Sequence, residues 1–274
     1  MSELYFQFDK NDELISLSSQ FSGIYVEEFS RDAPQQKLQA STIEGTDGEI
    51  PQTITYDPFK VYVKLDIRAV DHLDYHLLYR ELNAFLHRRK TYRIASDQLP
   101  GLFFSVYPQP QSVSRESETI ALVTFEFTAY KGYAESRGST LDPLTFDSEL
   151  WGVGDGILMD SDMQYVFNTN KFSIYNASDD VISPIYRHEI DIALTCAGSP
   201  QITNKTTNDI FKCTSTLVKK DVLLISGVYP FINGKHAGKN SNHGILTLNP
   251  GWNEFEVKGV SDLTIAFGFK FIYR

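Results

Sequence analysis

Cysteine is scarce in this chain: Cys196 and Cys213 are the only two among 274 residues, and no CxxC spacing occurs. That argues against a disulfide-built scaffold or a thiolate metal ribbon, and leaves two buried thiols in a reducing compartment as the expectation. Long apolar runs are also missing, since no stretch approaches the ~20 residues a membrane-spanning helix requires. The opening "MSELYFQFDKNDEL" puts acids where a signal peptide carries bases and has no apolar segment, so no secretion leader is expected. Without secretion, the sequons at Asn176 and Asn204 carry no meaning. Bases are outnumbered by acids, 25 against 35, for a net charge of −10. Phosphate contacts need clustered Lys and Arg, so nucleic acid is not expected as a tightly held ligand.

The signatures of catalysis are thin as well. There is no GxSxG, and neither cysteine lies in a nucleophile signature. "WGVGDG" looks like a glycine-rich phosphate loop, but a strand-like stretch follows it where a dinucleotide site needs a helix. It reads instead as a segment between domains. Asp160 and Asp162 in "MDSDMQ" lack the glycine and distal Glu of a calcium loop. His72 and His76 stand four apart, the spacing of a metal pair, yet no HExxH and no third ligand accompany them. They read as residues on the polar face of a helix. No catalytic, cofactor-binding or metal-binding residue is expected.

What the chain does contain is a β-rich pattern. Its composition, 42% hydrophobic, 13% aromatic and 22% charged, is that of an ordered protein long enough for two domains. "KVYVKLDIRAV" alternates Val61, Val63, Leu65 and Ile67 with polar residues, the mark of a half-buried strand. Asp47-Gly48 in "EGTDGEI" signals a hairpin turn, because both residues tolerate positive φ. The segment "DHLDYHLLYRELNAFLHRRK", residues 71–90, is the one clear helix. It places Leu73, Leu77, Leu78, Leu82, Phe85 and Leu86 on one stripe, with Asp71 or Asp74 as cap and His87, Arg88, Arg89 and Lys90 at its end.

The texture turns rich in Gly, Ser, Pro and acids within 135–147, which divides the chain into 1–140 and 141–274. Beyond lie short strands separated by turn signals, including Asn233-Gly234 and the Pro-Gly of "LNPGWNEFEVKG", and no helix pattern. This second half reads as a β-sandwich. The last stretch, "SDLTIAFGFKFIYR", alternates Leu263, Ile265, Phe267, Phe269, Phe271 and Tyr273 with a thin row of Thr264, Ala266 and Gly268. The large row should face the core, and the thin one should pack on a neighbour or meet solvent. Trp252 in "NPGWNEFEV" is read as a turn anchor packed on the sheet. The rival reading stacks a sugar on it, with Asn253 and Glu254 as polar partners in a carbohydrate-binding adhesion module.

The order of "SGIYVEEF", "IEGTDGE", "VYVKLDI", "LLYRELNAFL", "RIASDQLPGLFFSVYPQP", "VTFEFTAYKGYAES" and "TLNPGWNEFEVKG" resembles that of siphophage distal tail proteins, often called Dit, over nearly the whole chain. The resemblance implies a mainly β protein: an N-terminal β-rich ring domain with one amphipathic helix, then a C-terminal galectin-like β-sandwich. It further implies a non-enzymatic hexameric ring at the distal tip of the phage tail in the virion. Such a ring joins the tail tube protein to the tail-associated hub protein and to receptor-binding or baseplate proteins. DNA would pass through its channel only in transit, and no membrane is involved. The expected ring-interface hairpin spans 37–56 and includes Ile43, Glu44, Asp47, Ile50 and Ile54. Many relatives carry a base in its turn where this chain has Thr46.

Overall fold

The structure is a computed structural model that describes residues 2–10, 12–145, 150–152 and 163–274. By its internal contacts the chain divides into residues 1–134 with Arg274, and residues 135–273.

In the first unit the strands are β1 (Leu4–Gln7), β2 (Ile15–Ser16), β3 (Ile24–Arg31), β4 (Gln35–Ser41), β5 (Ile50–Asp57) and β6 (Phe59–Arg68). After a helix come β7 (Tyr92–Ser96), β8 (Leu102–Pro108), β9 (Ser112–Arg115), β10 (Ile120–Ala129) and β11 (Ala134–Ser136), where the division falls. The main sheet is antiparallel, in the order β2-β1-β7-β8-β10-β6-β3, with β9 also on β10. The alternation read in "KVYVKLDI" is realised on β6: Val61, Val63, Leu65 and Ile67 are all buried, and they pair with the equally buried Phe127, Phe125, Val123 and Ala121.

A one-turn helix α1 (Leu17–Gln20) precedes the main helix α2 (His72–Leu86). Asp71 caps α2 by accepting from the Asp74 amide at 2.8 Å, and the Asp74 carboxylate accepts from the Val70 amide at 2.9 Å. These bonds satisfy donors that a helix start leaves orphaned. The buried face differs from the expected stripe. Tyr75, Leu82 and Leu86 are buried, while Leu73 and Leu77 are 76% and 45% exposed. At 100° per residue, Leu73 and Leu77 fall almost opposite Leu82, so the leucines were never on one face. Phe85 meets Phe6, Phe8 and Phe21 edge-on at 5.1, 5.1 and 5.5 Å. The bases expected at the helix end lie just beyond it, with the Arg88 guanidinium 3.5 Å over the Phe8 ring and Lys90 paired to Asp9.

The second unit contains β12 (Val166–Phe167), β13 (Lys171–Asn176), β14 (Ile190–Asn204), β15 (Asp209–Lys212), β16 (Val222–Ser226), β17 (Tyr229–Ile232), β18 (Lys235–His236), β19 (Gly251–Phe269) and β20 (Ile272–Tyr273). Two strands are far longer than the short ones expected. β14 pairs from end to end with the stretch 255–269 of β19, with register shifts between Thr195 and Gln201. Gly198 and Gly259 sit at this bend with φ of +123° and +79°. A Cβ on Gly198 would stand 2.3 Å from the Gly259 carbonyl oxygen, and one on Gly259 would stand 2.5 Å from that of Ser199. Only glycine allows so close a crossing. The fold-back brings the halves of β19 face to face, with the Phe255 and Phe267 rings 5.1 Å apart. A single bent sheet thus makes both layers of a sandwich.

The end of the chain behaves as its alternation requires. Leu263, Ile265, Phe267, Phe269 and Phe271 are buried. In the thin row Thr264 is exposed, whereas Gly268 leaves room for Leu141; beyond it the Thr140 amide donates to the Phe269 carbonyl and the Ser136 amide to that of Phe271. Asn233-Gly234, both at positive φ, close the β17–β18 hairpin. Cys196 and Cys213 are free and buried. Trp151 of "WGVGDG" is buried, with its ring 6.0 Å from Phe271 and its indole N–H on the Pro143 carbonyl. The rest of that glycine-rich stretch from Val153 onward, together with Asp160 and Asp162, lies outside the described residues.

Candidate functional site: the hairpin arm

β4 and β5 make a two-stranded sheet of their own, and no third strand pairs with either among the described residues. They run in register from Gln35↔Asp57 to Ser41↔Ile50, with a bulge between Gln39 and Ala40. At the tip Gly45 and Gly48 take φ of +84° and +80°. The Thr46 amide and hydroxyl both donate to the Ile43 carbonyl, at 3.2 and 2.9 Å, so Thr46 closes the tip of the arm.

The base of the arm is fastened closely. The Arg274 guanidinium lies 3.7 Å over the Tyr56 ring and donates to the Gly132 carbonyl at 2.9 Å. Gly132, at φ +73°, passes so near that a Cβ there would be 3.1 and 3.2 Å from the carbonyl oxygens of Asp57 and Tyr56. Lys37 and Asp57 form a loose pair at 3.8 Å.

The side chains along the arm are unusual for a free surface. Leu38, Ile43, Ile50 and Ile54 are 49%, 54%, 49% and 52% exposed, and Leu38 lies directly across from Ile54. Isolated two-stranded hairpins are marginal in water, and their open edges are templates for pairing. An arm with four large aliphatic side chains in solvent gains from being covered. Ile43, Glu44 and Asp47 sit at the tip and Ile50 and Ile54 on β5, so the structure brings all five expected residues together on one element. Leu38 was missed, although its place opposite Ile54 follows from centring the hairpin on the Gly45–Gly48 tip.

The other candidate group is only partly assembled. Trp252 is 45% exposed, which departs from a Trp packed on the sheet, and it stands edge-on to Tyr175 at 5.2 Å. Glu254 shares its outward face. Asn253 does not: it is fully buried, accepting from the Asn249 amide and donating to the carbonyls of Asn249 and Gly251. Neighbours along a strand point to opposite faces, so 252, 253 and 254 could not form one contact row. Three lysines, Lys171, Lys205 and Lys258, surround Glu256 on this outer face at 3.3–3.7 Å, and Lys258 most strongly, then Lys205, hold its carboxyl below the usual range. Among the described residues no group of three or more His, Cys, Asp or Glu is placed to hold a metal.

Residues 10–129 match the family model of the phage tail protein RIFT-related domain. The whole chain is similar in fold to the SPP1 Dit (gp 19.1) protein, described as a paradigm of the hub adsorption apparatus in phages infecting Gram-positive bacteria. The TM-score is 0.70 at 13% identity, covering 99% of each chain. A chain of the phage P2 baseplate in its activated conformation with Ca aligns over 99% of this chain and 98% of its own, at a TM-score of 0.46 and 8% identity. No curated protein matches the sequence. The resemblance to siphophage distal tail proteins is borne out, by the family model over residues 10–129 and by the fold over nearly the whole chain.

Proposed function

We propose that this chain is the subunit of a hexameric hub ring at the distal end of the tail tube. The ring joins the tube protein to the tail-associated hub protein, while the sandwich of the second unit, read as galectin-like, carries receptor-binding or baseplate proteins. The observation that carries the reading is the arm: four large aliphatic residues exposed on a hairpin whose two edges pair with no other strand among the described residues. In a ring each arm would lie on the neighbouring subunit, and such head-to-tail contacts close when the rotation is right. DNA crosses the channel without binding, in keeping with the acidic balance.

Light scattering on the purified chain should give a mass of six copies. Replacing 37–55 by a short glycine linker, or making the milder Ile50→Glu with Ile54→Glu, should give monomers with unchanged circular dichroism from the sheets. A hexamer that survives both changes overturns the reading.

A second reading is favoured by one observation, the half-exposed Trp252 beside Tyr175. There the outer face of the sandwich stacks a sugar, with Glu254 but not Asn253 as a polar contact. Binding on a glycan array that vanishes in Trp252→Ala would support it, and an array blank at every sugar would end it.

A further inference from the structure

We infer that His72 and His76 form a chelating site for a single divalent transition-metal cation of the zinc type. Both imidazoles are exposed on α2, one turn apart, and their Nε2 atoms face each other at 3.3 Å. The rings stand 4.6 Å apart at 70°. Two imidazole nitrogens at the Zn–N bond length and tetrahedral angle stand about 3.3–3.4 Å apart. A square-planar arrangement would bring them to roughly 2.9 Å. The pair is thus already set to the tetrahedral bite, and the helix backbone maintains the spacing without further support. As a direct hydrogen bond, 3.3 Å is long for two nitrogens.

The surroundings define what kind of site this is. Asp71 and Asp74 lie within the same turn, but both carboxylates accept from backbone amides at the helix start. Their charge offsets the positive end of the helix dipole, which would otherwise disfavour a cation so near the first residue. No buried carboxylate is described behind either ring, so the support that tightens resident metal centres is lacking. Two coordination positions remain for water or for a donor brought by a docking molecule, next to the exposed Leu73 and Leu77. The site is therefore an open, exchangeable chelate, and its ligand is a borderline cation suited to imidazole.

Calorimetric titration of the full chain with Zn²⁺ tests this. One site per chain is expected. His72→Gln and His76→Gln should each weaken it by roughly a hundredfold, since the second imidazole binds intramolecularly. Both substitutions are on exposed positions and leave the fold unchanged. The ring signals of His72 and His76 should also shift together in NMR spectra during the titration. His236→Gln serves as the control, because His236 and His243 flank Gly238 in the second unit. Binding that is lost in His236→Gln but kept in His76→Gln, or no binding by the unaltered chain at millimolar Zn²⁺, overturns the assignment.

Discussion

Phe267 is fully buried and meets Phe255 at 5.1 Å and Phe172 at 5.8 Å. Truncating it removes the ring that both layers of the sandwich share, and Phe267→Ala should cost about 3–5 kcal/mol in urea unfolding. The thiols behave in the opposite sense to reactive ones. Burial pushes Cys196 up to about 11 and also raises Cys213. Native protein should therefore react with a thiol reagent only after unfolding. A thiol whose native value lies above its unfolded one contributes stability that is whole below the unfolded value. That contribution is lost as pH rises through the native value, so the melting temperature should decline from about pH 8.5 upward. Asp71→Ala should cost about 1 kcal/mol through the lost cap, visible as a small fall in helix signal and midpoint.

Among the elements, those with strict alternation were legible and those interrupted by glycine were not. β6 and β10 follow from the period of two alone, and the Asn233-Gly234 and Asp47-Gly48 hairpins follow from turn chemistry. In β14 the run "AGSPQ" reads as a terminator, and "VKGVSD" reads the same way in β19. Each strand nevertheless continues, because its glycine bends while the partner strand bends with it, and pairing overrides the local signal. The existence of α2 and its cap were also legible, but its buried face was not. Six apolar residues wrap too far round the helix to define a stripe, and Tyr75 took a core position that counting leucines could not assign. The bend yields its own prediction. Gly259→Ala forces a side chain into φ +79° and against the Ser199 carbonyl. It should destabilise by more than the about 1 kcal/mol typical of a glycine replacement, as read from the thermal midpoint.

For the whole molecule, the net charge of −10 predicts that the purified protein passes through a DNA column unretained even at low salt. Retention that salt reverses would show a cationic surface the composition does not suggest. The bent pair β14 and β19 has a mechanical meaning. Because each layer of the second unit is built from the same two continuous strands, neither layer can peel away without tearing the other's backbone ladder. A load applied to this unit would meet covalent chain running through both halves, and would find no seam at which to split them.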